Sequence, residues 1–275
     1  MYSFFIDTIV IVFLGYSVVY PFFLLLTPIK QIDTSFYRFN LGLCCIIGAL
    51  GAIGHLGLES NFLSKIYIWL WICLVLIITA YYWNSKTINN FMISIISIFG
   101  CFAFFQIIIQ VLPKSDYLSL FFITLLGSMI TASVFFSMIL GHWYLNVINL
   151  PIRLLKRSIL VFSLLLVIRT IWDVIYITLE SVTDSYGISY NLWAFTFEFE
   201  GFLLAIAIFM GNIIPLILNL FIWKTLKLQA TQSATGLIYV SVIAILFGDL
   251  LFKYYLLKFG FLLWATLNVK NVIKE

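Results

Sequence analysis

YLSLFFITLLGSMITASVFFSMILGHWYL, residues 117–145, contains no Asp, Glu, Lys or Arg. As a helix rising 1.5 Å per residue it would run for about 43 Å, whereas crossing the roughly 30 Å of bilayer hydrocarbon takes about 20 residues. A stretch this apolar has to face lipid, and its excess length has to tilt, kink or protrude. Comparable stretches lie outward on both sides of it, at about 8–28, 39–58, 66–83, 91–112, 155–180, 191–224 and 234–257. The expected fold is an all-α integral membrane protein, a bundle of about eight transmembrane helices. They form one polytopic domain over 1–275, with 259–275 as a short interfacial C-terminal tail whose apolar piece FGFLLWATL is too short to span.

The rest of the chain agrees with that reading. Of its 275 residues 64% are hydrophobic and 9% charged, and the mean hydropathy is +1.14. Soluble domains are roughly 45–50% apolar and about 25% charged, so soluble enzymes and disordered scaffolds are excluded. The 15 Lys and Arg against 11 Asp and Glu are scattered, with no basic stripe for a nucleic acid. Cys44, Cys45, Cys73 and Cys101 all fall in apolar runs without metal-ligand spacing and read as small hydrophobes. The opening MYSFFIDTIVIVF has Asp7 as its first charge and no basic n-region, so the first span is expected to be retained.

Loops after spans one, three, five and seven carry Lys30, Arg38, Lys86, Arg153, Lys156, Arg157, Lys224 and Lys227. The intervening loops carry Lys65 and Lys114 beside Glu59, Asp116, Glu180 and Asp184. The positive-inside rule then puts both termini outside a cytoplasmic membrane, against which Lys258, Lys270 and Lys274 of the tail argue. Trp69, Trp71, Tyr81, Tyr82, Trp83, Trp143, Tyr144 and Trp223 sit near span ends as interfacial anchors. Span seven, at about 50 Å, is too long for a straight crossing, and Gly211-Asn212 before Pro215 supplies a cause for a bend, expected in its inner half.

Counting depth along each span gathers the polar residues in one leaflet. His55 and Glu59 fall near the outer end of span two, Gln106 and Gln110 in the outer half of span four, and Arg169 and Asp173 from the middle outward in span six. Glu198 and Glu200 follow the outer start of span seven, and Asp249 and Lys253 lie in the outer half of span eight. A charge at a helix centre costs roughly 2.5–3.5 kcal/mol, so these groups should face protein or a water-filled cavity, and function is their default reading. Ala194, Glu198, Gly201 and Ala205, at i, i+4, i+7 and i+11, would put Glu198 on a small-residue helix stripe, with Glu200 either on another wall or snorkelling outward. Arg169 with Asp173 and Asp249 with Lys253 are both spaced i, i+4, which suits an ion pair within one helix equally well. Gln106 and Gln110 suit interhelical hydrogen bonding. Gly48, Gly51 and Gly54 precede His55 and leave a face that neighbours can approach closely.

The two histidines fall on opposite sides, His55 late in an inside-to-outside helix and His142 late in an outside-to-inside one. They cannot share a haem, so none is expected on this chain alone. No three- or four-ligand metal signature is present. Within GHWYLN at 141–146 and TQSATG at 231–236, interface anchoring and helix capping account for most of the polar residues.

GAIGHLGLESNF at 51–62 and LFGDLLFKYYL at 246–256 carry a resemblance. His55-Leu56-Gly57, and Gly248-Asp249 followed by Lys253, resemble strings of the membrane-anchor subunits of dimethyl-sulfoxide-reductase-type and polysulfide-reductase-type respiratory enzymes. The family usually has proline where this chain has Glu59, and arginine where it has Lys253. The resemblance implies eight haem-free helices with both termini outside and quinol bound near the outer face. It implies that His55 helps take the quinol proton while electrons pass to an iron–sulfur subunit in a hetero-oligomer. Asp249 or Glu198 would accept the second proton, Arg169 or Lys253 would hold a carboxylate ionised, and Gln106, Asp173 and Glu200 would line the cleft; catalysis would belong to the complex. The competing expectations are a proton- or cation-coupled transporter, which also keeps acids inside the membrane, and a structural assembly subunit with no ligand.

Overall fold

A computed structural model describes residues 2–58, 61–85, 89–111, 117–147, 150–183 and 189–260. Glu59, Lys86, Lys114, Asp116, Asp184 and the tail from 261 onward lie outside the described residues. The chain is a multi-pass integral membrane protein, with eight helical segments among the described residues long and apolar enough to cross a membrane. They are α1 (Tyr2–Phe23, followed by a 3-10 turn at Leu24–Leu26), α2 (Thr34–Leu56), α3 (Phe62–Trp83), α4 (Asn90–Val111), α5 (Tyr117–Asn146) and α6 (Arg153–Leu179). Next come a composite seventh span, Phe202–Lys227, and α10 (Thr231–Phe259). Between α6 and the seventh span the chain forms a small antiparallel hairpin, β1 (Ser181–Thr183) with β2 (Ser189–Asn191), and one turn of helix, α7 (Leu192–Phe195).

Span seven differs from its expected outline. Residues 196–201 form turns, and the crossing begins only at Phe202 with α8 (Phe202–Ile208), which removes the excess length. A π-helical turn, Phe209–Ile213, then leads into α9 (Ile214–Lys227), with Pro215 in its first turn. Proline offers no backbone N–H, so a widened turn just before it accommodates the missing hydrogen bond. The irregularity falls on the expected residues, Gly211-Asn212 before Pro215, but nearer the Phe202 end than the Lys227 end, because the span starts at Phe202 and not at 191.

Contacts between neighbours fix the direction of every helix. Val10, Leu14 and Ser17 of α1 meet Gly54, Gly51 and Gly48 of α2 in reverse order. Cys45 and His55 of α2 reach Thr79 and Ser64 of α3, and Trp71 Nε1 of α3 donates to Ile96 O of α4. α1 packs on α4 as well, which closes a four-helix bundle. The second half repeats the plan with α5, α6, span seven and α10, where α5 packs on both α6 and α10. α1 joins the halves. It packs on α5 and α10, and 72% of its most apolar window is buried against 33% for α3 or α6 at the rim. Tyr16 of α1 meets Phe135 of α5 edge-on at 5.4 Å, and Phe36 meets Trp143 in the same way at 5.4 Å. The rim helices turn large apolar side chains outward, Ile77, Phe102, Ile171 and Ile243 among them, as lipid requires.

Local signals set the ends. Asp33 caps α2 by accepting from Ser35 N at 2.7 Å, and α10 stops at Gly260, whose φ of 65° is left-handed. The Ser35 hydroxyl and amide hold the Asp33 carboxyl below the usual carboxylate range. A folded-state carboxyl held low stabilises the fold at neutral pH and loses that contribution as pH falls through its range. Asp33→Ala is expected to cost about 1 kcal/mol, and the gap from wild type should close on acidification in thermal melts in detergent. Gly248 is a tighter constraint, because a Cβ there would stand 2.6 Å from the backbone nitrogen of Gly211. Gly248→Val should destabilise by about 1–3 kcal/mol or more; an unchanged melting temperature would contradict the close crossing of α10 and span seven.

Candidate functional site

His55, Gln110, Arg169, Asp173, Asn212, Asp249 and Lys253 all belong to the half of the molecule where α2, α4, α6 and α10 end, called here the His55 end. His142 lies at the other end, 3.4 Å from the Tyr239 hydroxyl and close to the start of α10. Within the His55 end the residues separate into three places.

The first is the middle of the C-terminal bundle. Both i, i+4 pairs form: Arg169 Nε donates to Asp173 Oδ2 at 2.9 Å and Lys253 Nζ to Asp249 Oδ2 at 2.6 Å. All four side chains are buried, at 7% exposure or less. A buried charge needs further hydrogen bonds as well as its partner. Asn212 of the π turn donates to Asp173 Oδ2 at 2.7 Å, Thr131 of α5 to Asp249 Oδ2 at 3.2 Å, and Lys253 to Ser128 Oγ at 3.1 Å. The Arg169 guanidinium lies 4.5 Å from the ring centre of Phe252, a cation–π contact that shields it from lipid.

Gly127 brings the two pairs face to face. A Cβ on it would run into Asp249 Oδ1 and lie 3.9 Å from Arg169 Nη1, so both groups converge on space that only glycine leaves open. A cavity of about 20 Å³, counted as space open to the centre of a water molecule, is lined there by Gly127, Arg169, Asn212 and Asp249. A second, of about 10 Å³, touches Thr124, Arg169, Asp249 and Lys253 and extends past Ile123 and Leu256 toward the His55 end. Among the described residues, Asp173 Oδ1 and Asn212 Oδ1 have no donor.

The second place is in the N-terminal bundle. His55 is 1% exposed at the end of α2, and its Nε2 lies 3.4 Å from Ser64 Oγ. Gln110 Oε1 accepts from Ser64 Oγ at 2.9 Å and from Asn61 N at 3.0 Å, tying α4 to the start of α3. Gln106 is half-buried one turn earlier on α4. α1 stands between this group and the ion pairs, with Val10 against Gly54 on one side and Gly15 against Ser128 on the other.

The third place corrects the sequence reading. Glu198 and Glu200 are exposed in the 196–201 turns, where no helix carries Ala194, Glu198, Gly201 and Ala205 on one stripe. Tyr190 donates to Glu198 Oε2 at 2.9 Å, and the backbone carbonyl of Glu200 accepts from Tyr255. Gly201 is there because the Phe195 carbonyl occupies the place of its Cβ.

Ser128, Thr131, Gly127 and Phe252 carried no signal of their own, since small polar residues and aromatics are ordinary in such helices. Asn212 does carry one, as an amide in mid-span, which its place in the bend before Pro215 masks. A second polar knot, Ser163 with Asn219 at 2.7 Å and Trp223 at 3.1 Å, ties α6 to α9 toward the other end. Among the described residues, no three His, Cys, Asp or Glu side chains are grouped to hold a metal.

Arg169→Leu would leave the Asp173 carboxylate buried with only Asn212 beside it and should cost about 3–5 kcal/mol. The double change Arg169→Leu with Asp173→Leu should restore most of that, and thermal melts of the two variants check it; equal losses would contradict the pairing. No protein-family model, curated protein or solved structure matches the chain.

Proposed function

We propose that this protein is a membrane-embedded proton-handling subunit, in which Asp249 and Asp173 take up and release protons between the bilayer interior and the His55 end. The observation that carries the reading is the convergence of two acid–base pairs, from α6 and α10, on the cavities beside Gly127. Four charges of zero net sum sit in a low-dielectric interior, where each is costly to keep and function is the default explanation. Arg169 is always protonated and acts as the fixed counter-charge, whereas both aspartates and Lys253 can exchange protons. A proton added to either aspartate leaves the group with an excess positive charge. In so low a dielectric that excess drives a proton out elsewhere, which is the behaviour of a relay.

Quinol is the proposed source of these protons, and this part follows from the resemblance. His55, held by Ser64 at the end of α2, is the group that would take the first proton at its own end of the molecule. Electrons pass to an iron–sulfur or other redox subunit in a cytoplasmic-membrane complex. A cation-coupled transporter is the second reading, favoured by the π turn that brings the Asn212 amide onto Asp173, since interrupted helices beside buried acids are frequent in transporters.

Vesicles of the native membrane given a quinol should release protons, and Asp249→Asn should slow that release about 10²-fold while leaving quinol-analogue binding intact. His55→Ala should abolish the binding itself. Wild-type release from Asp249→Asn vesicles would overturn the proton-handling reading, and release driven by a cation gradient without quinol would favour the transporter.

A further inference from the structure

We propose that one water molecule is a built-in part of this protein, seated over Gly127 and joining the two buried ion pairs into a single hydrogen-bonded unit. The space is of the right size. About 20 Å³ is open to a water centre beside Gly127, and roughly 10–15 Å³ suffices for one molecule. The chemistry of its walls is right as well. Asn212 is 2% exposed, its Nδ2 is committed to Asp173, and its Oδ1 is a buried acceptor with no donor among the described residues. On the other wall stand the Asp249 carboxylate, a second acceptor, and the Arg169 guanidinium, a donor with N–H groups beyond the Nε used on Asp173. A water that donates to Asn212 and Asp249 and accepts from Arg169 makes about three hydrogen bonds, the usual number for a buried one. A metal cation fits less well, because Arg169 and Lys253 already balance both carboxylates and a fifth charge would be unpaired.

Gly127 is what keeps the place open. The Cβ of any other residue would meet Asp249 Oδ1 and approach Arg169 Nη1 to 3.9 Å, so it would stand in the space where the two groups converge. Through the water, Asp249 is joined to Arg169 as well as to Lys253, and protonation of one aspartate is felt by the other. The use of this water rests on the proton-handling reading above, but its presence does not.

The test is the infrared O–H stretch of the purified protein, compared in ordinary and heavy-oxygen water. Wild type should show an isotope-shifted O–H band lowered in frequency by the hydrogen bond to the Asp249 carboxylate and distinct from bulk water. The band should disappear in Gly127→Ala and in Asn212→Leu, and should persist in His55→Ala and Ser163→Ala. Thermal melts report whether each variant is folded, and Asn212→Leu decides if Gly127→Ala is not. An isotope-shifted band that survives in folded Asn212→Leu, or its absence from wild type, would overturn the proposal. A band present as expected alongside normal proton release from Asp249→Asn would instead overturn the functional reading and leave the water site standing.

Discussion

A charge inside hydrocarbon must meet its opposite, and in this protein that requirement organises the C-terminal half. Arg169 and Asp173 lie on α6, Asp249 and Lys253 on α10, and each pair closes within its own helix. Closing a pair is not enough, since each carboxylate offers several acceptor sites and Lys253 three donors. The remaining bonds come from other elements: Asn212 from span seven, Ser128 and Thr131 from α5. The four spans of the bundle are thus held in register by polar groups at one level, while apolar packing supplies the area around them.

Glycine makes that level accessible. Gly211 and Gly248 let span seven and α10 touch backbone to backbone, which brings Asn212 and Asp249 into the same layer. Gly127 opens the space between the pairs, and Gly15 lets α1 lie against Ser128 at the seam between the bundles. On the far side of α1, Gly48, Gly51 and Gly54 receive Ser17, Leu14 and Val10 in turn, and the same close packing buries His55. The imidazole and the ion pairs are therefore supported by one central helix without sharing a pocket.

Eight crossings were legible in the sequence because lipid imposes a long apolar run on every one of them, and α5 could be read almost to the residue. The i, i+4 spacing of Arg169 with Asp173 and of Asp249 with Lys253 disclosed both pairs, since a helix puts those positions on one face. What spacing along one helix cannot disclose is which neighbour it meets. Ser128 and Thr131 became partners of Lys253 and Asp249 through the packing of α5 on α10. The 191–224 stretch differs from its expected outline for a related reason: apolar neighbours on both sides carry FEFE at 197–200 into one hydrophobic run, yet the turns there expose Glu198 and Glu200. Hydropathy averages over such an alternation and does not register the turn.

Whether the buried aspartates change protonation at all separates a proton relay from a purely structural cluster of charges. An infrared titration of the purified protein with isotope-labelled aspartate, recorded in wild type and in Asp249→Asn, reads this directly from the stretch of the protonated carboxyl. A relay requires the labelled protonated-carboxyl band to change in wild type and to lose the Asp249 share in the variant, leaving the share of Asp173. Aspartates that stay ionised throughout the titration would mean four fixed charges serving structure alone.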